Sequence, residues 1–290
     1  MVGSASIAKR KEDRMPRTNR VMPGRAAAIS GGAVLIMAAA FAAPATADEP
    51  DAPNGGDPYP NEVHAPALPP DAGAPAPAAG KARNSGRVPI VGGHNATEAP
   101  PFIAALYKGG RFACTASLVA AHWVLTADHC IGGSISVRAG SLRRESGGQT
   151  ANVTEQLSEP SGSDIALLRI DKDVQAPYPA LGGPGDAATG TSERVFGYGY
   201  KRSDWSQLSD VLKYSEGTIY DSRCNVLGAT LCIENDGDTA GGDSGGPMLT
   251  ATGKLIGTCT AGNKPTDGSG FGAYSDVTRY RSWIDRTIGR

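Results

Sequence analysis

From about residue 100 onward, glycine, proline, asparagine or aspartate interrupts the chain every few residues, leaving apolar runs of strand length at 101–107, 112–119, 135–139, 165–170, 211–219 and 254–260. Runs that short, bounded by turn residues, predict an antiparallel barrel or sandwich rather than a helical bundle. The 39 glycines and 21 prolines agree with many short elements joined by turns. Only the tail departs from this pattern. Tyr280, Trp283, Ile284 and Ile288 recur at helical spacing after Thr278, which predicts one short closing helix with Thr278 as its N-cap. A chain of 290 residues has length enough for one sizeable domain or two small ones, so burying a core is not the limiting problem.

The start of the chain has a different character. Arg17, Arg20 and Arg25 lead into an apolar stretch at 26–43 and then Ala45-Thr46-Ala47, the pattern of a secretory signal cut after Ala47. An uncleaved membrane anchor is the competing reading, disfavoured because the stretch is mostly Ala and Gly rather than Leu and Ile. Residues 48–89 are Pro, Ala and Gly with almost no large apolar side chain, a composition that cannot offset the entropy of ordering, and they predict a flexible propeptide or linker. Residues 90–290 are then one folded domain. Overall charge is −1, and the net positive charge lies in the leader while the rest of the chain is net negative, so neither nucleic acid nor a stable membrane partner is expected.

The strongest local signal is Gly242-Asp243-Ser244-Gly245-Gly246-Pro247. Such a loop exposes its serine, and the glycines let backbone N–H groups converge beside the hydroxyl. The bland reading is a surface turn of the usual turn residues. A serine is a weak nucleophile until a base takes its proton and a third group orients the base. Among four histidines, His64 lies in the propeptide, leaving His94, His122 and His129. His129 sits in Thr126-Ala127-Asp128-His129-Cys130, just after the strand-like Trp123-Val124-Leu125, and Asp164 heads the apolar run Asp164-Ile165-Ala166-Leu167-Leu168. Taken singly, each is more simply a structural histidine and a strand-end acid.

Together with Ile90-Val91-Gly92-Gly93, these three segments occur in the order found in the trypsin and chymotrypsin family, and over residues 90–290 the chain resembles that family, with a pattern closest to secreted bacterial members. The resemblance implies an all-β fold of two six-stranded antiparallel barrels with a short C-terminal helix, and a monomer acting on proteins or peptides. Ser244 would be the nucleophile, His129 the base, Asp164 its orienting acid, and the N–H groups of Gly242 and Ser244 the oxyanion hole. It implies a zymogen in which cleavage before Ile90 frees an amine that pairs with Asp243. Pro89 stands where many relatives have Arg or Lys, so a different activating protease is expected. Six positions before the serine, Asp238 would sit at the base of the specificity pocket and favour Arg or Lys, with Gly262 and Gly272 on its walls. The other reading of Asp238 is a turn acid, its alignment open to a slip of two.

Family matching pairs Cys114 with Cys130 and Cys224 with Cys232, leaving Cys259 as a small buried hydrophobe. Ala240 replaces a usual pocket cysteine, Thr260 and Ala261 replace Ser and Trp, and Asp128 replaces Ala. No zinc spacing occurs, so no metal or other cofactor is expected, calcium being the one ion left open. Protease inhibitors and an activating protease are expected partners. A non-catalytic binding protein on this fold would show a changed triad residue, and this chain shows none. An α/β-hydrolase would carry its residues in the order Ser, Asp, His, whereas here the order is His, Asp, Ser.

Overall fold

A computed structural model describes residues 90–264 and 266–290, and the expected leader and propeptide at 1–47 and 48–89 lie outside the described residues. In chain order the elements are β1 (His94–Asn95), β2 (Ile103–Lys108), β3 (Arg111–Ala120), β4 (Trp123–Thr126), β5 (Ile135–Ala139), β6 (Gln149–Ser158), β7 (Ala166–Ile170), β8 (Ser192–Gly197), β9 (Lys213–Asp221), β10 (Leu231–Asn235), β11 (Pro247–Thr250), β12 (Leu255–Gly262), β13 (Phe271–Asp276) and the helix α1 (Val277–Ile288). The first barrel closes in the order β2-β3-β4-β7-β6-β5. The second runs β9-β10-β13-β12-β11-β8 and closes through a β8–β9 ladder, while β1 adds to the outside of β9. Two six-stranded antiparallel barrels are therefore present, as the resemblance implied.

Local chemistry explains the pairing. Gly109 and Gly110, both at positive φ, make the two-residue turn that sets Lys108 opposite Arg111 in the β2–β3 hairpin. Leu106, Leu118, Leu125 and Leu167 fill the first core, and Val195, Ile219, Ile233, Met248 and Ile256 fill the second. The helix is capped two residues earlier than the sequence suggests. Asp276, not Thr278, is the N-cap, because its carboxylate accepts from both the N–H and the hydroxyl of Thr278. Gly289 in the left-handed conformation ends it. No helix among the described residues is long and apolar enough to cross a membrane.

Three strand ends carry the residues of interest. The C-terminal end of β4 lies beside the N-terminal start of β7, with Thr126 opposite Ala166, so the residues just after β4 and just before β7 emerge together. His129 and Asp164 occupy those places. Ser244 precedes β11 in the other barrel.

Candidate active site

His129 sits in the 3-10 turn Asp128–Cys130, pinned from behind by the Cys114–Cys130 disulfide. Its Nδ1 lies 3.0 Å from both carboxylate oxygens of Asp164, and its backbone N–H donates to Asp164 Oδ1, also at 3.0 Å. A carboxylate accepts there, so the proton belongs on Nδ1 and Nε2 keeps its lone pair. The two side chains are largely sheltered, at 24% and 13% exposure, which limits the screening of their attraction by water.

The serine loop is fastened to the same end of the first barrel. Thr115 N–H donates to Ser244 O at 2.9 Å, and the Thr115 hydroxyl donates to Gly242 O at 2.9 Å. A Cβ on Gly245, which has φ +76°, would come within 2.1 Å of Thr126 Oγ1 and 3.0 Å of Ala127 N, so only glycine lets the loop lie against the segment leading to His129. Gly242 is also left-handed, at φ +87°, and its N–H makes no backbone hydrogen bond among the described residues. Asp243 N–H donates to Ala240 O and Gly246 N–H to Asp243 O, which curls residues 240–246 into one tight turn. The structure thus joins His129 to Asp164 directly and holds the Ser244 turn against Thr115, Thr126 and Ala127.

Asp243 points away from the serine into the protein. Its Oδ1 accepts Gly199 N–H at 2.8 Å and its Oδ2 accepts Ala240 N–H at 3.0 Å. Burial pushes its carboxyl up to about 7, against those two hydrogen bonds and the nearby Lys213 ammonium. Ile90 is itself buried and takes a positive φ of 32°, a conformation that a β-branched residue seldom adopts. Val91 next to it accepts Asp238 N–H at 2.9 Å, so the start of the described chain is tied to the expected pocket base.

Asp238 is 0% exposed. Its Oδ1 accepts the N–H groups of Gly270 and Phe271, and its Oδ2 that of Gly268. Burial raises its pKa, and these three donors work in the opposite direction. Asp236, the residue two places away, instead meets His94 Nε2 at 2.7 Å and Glu216 N–H at 2.9 Å with its side chain 46% exposed. Of the two acids it is Asp238 that is sealed inside. Gly262 and Gly272 stand opposite each other in the β12–β13 ladder, and both face Thr239. A Cβ on Gly262 would come 2.0 Å from Thr239 O and one on Gly272 2.5 Å from Thr239 Oγ1. The sequence predicts that small residues here leave an open slot. In the structure they let the Thr239 segment close against the wall.

Cys224 pairs with Cys232 as expected, and Cys259 is a buried thiol outside both disulfides. Thr115, whose hydroxyl holds Gly242 O, Gly199, whose N–H holds Asp243, and Gly197, against which the Asp243 carboxylate lies, carry no signal of these roles in the sequence beyond Thr115's place beside Cys114.

Comparison with known proteins decides the family. The trypsin family model matches residues 90–284. The chain belongs to the trypsin family. It is 29% identical over 226 residues to a trypsin of Xenopus laevis, spanning 69% of this chain and 90% of that one. It is 31% identical over 225 residues to human kallikrein-14, spanning 69% and 84%. Among solved structures it is similar to neuropsin, a serine protease expressed in the limbic system of mouse brain, with a TM-score of 0.59 and 26% identity, covering 68% of this chain and 98% of that one. These relatives are animal proteins, and they lend no support to the closeness to bacterial members expected from the pattern. As a trypsin-family protein with this fold the chain is a serine endopeptidase, and proteins or peptides are its substrates.

Proposed function

We propose that this endopeptidase works through Ser244, His129 and Asp164, cleaves after Arg or Lys, and is secreted as a zymogen activated between Pro89 and Ile90. The observation that carries the reading is the His129–Asp164 contact at 3.0 Å beside a serine turn held to the same strand ends. Ser244 Oγ attacks the scissile carbonyl as its proton passes to His129 Nε2. Asp164 fixes the tautomer and balances the imidazolium. The N–H groups of Gly242 and Ser244 stabilise the oxyanion, each worth about 2.7–4 kcal/mol. Collapse of the tetrahedral adduct breaks the C–N bond, and the leaving amine takes the proton from His129. Water, deprotonated in turn by His129, then releases the acyl group and restores Ser244.

In the specificity pocket, Asp238 is the acid that meets the basic substrate side chain. Three backbone donors occupy three of the roughly four acceptor positions of its carboxylate, favouring the charged form and leaving one position for the substrate. The closed contact between Gly262 and Thr239 fits a precursor whose slot opens on activation. Strain at Ile90 fits a junction relieved by cutting, which also supplies an amine to the buried carboxylate of Asp243. Residues 1–47 are the secretory signal and 48–89 the propeptide. The mature protein is an extracellular monomer, with protease inhibitors and a separate activating protease as partners.

The test is labelling by a fluorophosphonate together with a peptide-library cleavage profile. Labelling is expected in wild type and absent in Ser244→Ala, with cleavage after Arg and Lys. A Ser244→Ala protein that still cleaves peptides overturns the nucleophile, and equal cleavage after Phe and Arg overturns the role of Asp238.

A further inference from the structure

Lys213 is a lysine with 0% exposure whose Nζ makes no hydrogen bond among the described residues, and nothing in the mechanism above uses it. Its place in the sheet says what it faces. Lys213 of β9 stands directly opposite Gly197 of β8. Directly opposed residues of an antiparallel pair project to the same face, with Cβ positions roughly 4.5–5.5 Å apart. A Cβ on Gly197 would lie 2.0 Å from Asp243 Oδ1, so that shared face is the one on which the Asp243 carboxylate rests. The lysine stem therefore starts about one side-chain spacing from a carboxylate that is itself only 2% exposed.

The acid needs such a neighbour. A buried carboxylate without a cation is strongly unfavourable, and its two backbone donors are neutral. In the continuous chain the nitrogen of Ile90 is a peptide amide and carries no charge. Even so, the Asp243 side chain is already turned inward and Gly242 already left-handed. Burial pulls the Lys213 ammonium down to about 7 while the Asp243 charge opposes that fall. Ile90 packs close by: a Cβ on Gly93 would lie 3.2 Å from Ile90 Cβ and 3.3 Å from Ser215 Cβ, two residues along β9 from Lys213.

We propose that Lys213 is a built-in cation for Asp243, a positioning residue that holds the carboxylate, and through it the Gly242–Ser244 turn, in its working arrangement before cleavage supplies the amine of Ile90. The uncut chain consequently keeps a low basal reactivity at Ser244, and cleavage substitutes one cation for another. This rests on the reading that Asp243 receives the Ile90 amine.

The experiment compares full-length precursor, shown intact by mass spectrometry, with mature enzyme beginning at Ile90, each as wild type and as Lys213→Met, a substitution that keeps length and removes charge. Fluorophosphonate labelling rates are read for all four, and kcat and KM on a small ester. Wild-type precursor is expected to label slowly. The Lys213→Met precursor is expected to label about 100-fold more slowly still, the size of losing an oxyanion donor, with the loss in kcat and not KM. Mature Lys213→Met is expected to stay near wild type, and its activity also reports that the variant folds. Lys213→Gln is read the same way if the methionine variant is insoluble. The proposal is overturned by a wild-type precursor that does not label, by a Lys213→Met precursor as reactive as wild type, or by a mature variant impaired as much as its precursor. The activation reading fails separately, on the wild-type pair alone, if cutting before Ile90 leaves the rate unchanged.

Discussion

Replacing Thr115 with valine removes one hydroxyl and almost no volume, yet that hydroxyl serves two backbone groups at the heart of the site. It donates to Gly242 O at 2.9 Å and accepts Tyr198 N–H at 3.2 Å, and Thr115 is 0% exposed. In the valine variant both backbone groups stay buried without that partner. A buried polar group stripped of its partner costs about 1–3 kcal/mol, so the two together predict a loss of about 2–6 kcal/mol, toward the lower end because the Tyr198 bond is long. Thr115→Ser is the control. It keeps both bonds and gives up one methyl, about 1 kcal/mol. Urea denaturation in a Ser244→Ala background, which prevents self-digestion, measures both. In the active enzyme the valine variant also frees the Gly242 carbonyl that fixes the turn, and on the proposed reading of Gly242 N–H as an oxyanion donor kcat falls by up to about the 100-fold of a lost donor. A valine variant as stable and as active as the serine variant refutes the reasoning, because the hydroxyl would then hold nothing.

Two further outcomes follow from the same kind of accounting. Glu193 on β8 is 4% exposed, and burial pushes it up to about 8 against the opposing influence of the Asn235 side chain. The folded state therefore holds a proton that the unfolded chain releases near pH 4.5, and stability falls as pH rises from there to about 8, on the order of a few kcal/mol. Glu193→Gln is expected to flatten that fall in urea titrations at pH 5 and pH 8, and parallel curves for the two proteins would exclude the group. Removing the Cys114–Cys130 bridge, whose cysteines are 16 residues apart, is expected to lower stability by about 3 kcal/mol through the freed unfolded chain. It should also slow Ser244 labelling, because the turn bearing His129 loses its anchor; labelling at the wild-type rate would show that the strand ends alone hold the turn.

How much of this was legible beforehand depended on whether a residue's role is written locally. The runs at 135–139 and 165–170 announce β5 and β7 because their apolar residues are consecutive or alternate and turns flank them. By contrast β6 (Gln149–Ser158) is a strand whose side chains are mostly exposed, and its only instruction to pair comes from β5 and β7 on either side. The spacing announces the helix but not its Asp276 cap, because it shows where a helix runs and not which of two neighbouring oxygens reaches the free N–H. His129, Asp164 and Ser244 stood out because each lies in a short motif. Their association depends on the register that sets Thr126 opposite Ala166 and on Thr115 N–H reaching Ser244 O.

The buried charges were illegible for a sharper reason. Lys213 sits between Leu212 and Tyr214 at the start of an alternating strand, and nothing within ten residues distinguishes it from a solvated lysine. What buries it is the pairing of β9 with β8, which puts it opposite Gly197, a position empty of side chain because the Asp243 carboxylate fills it. A slip of one residue in that ladder would turn Lys213 to the opposite face and bring Leu212 or Tyr214 against the carboxylate. The charge balance beneath the serine turn is thus a property of sheet register. For that reason Gly197→Ala, which leaves every charge in place and only adds a methyl 2.0 Å from Asp243 Oδ1, should disturb the serine turn as severely as removing the acid itself. Fluorophosphonate labelling of mature Gly197→Ala and Asp243→Asn side by side measures this, and an alanine variant labelling at the wild-type rate would show that the carboxylate does not need that space.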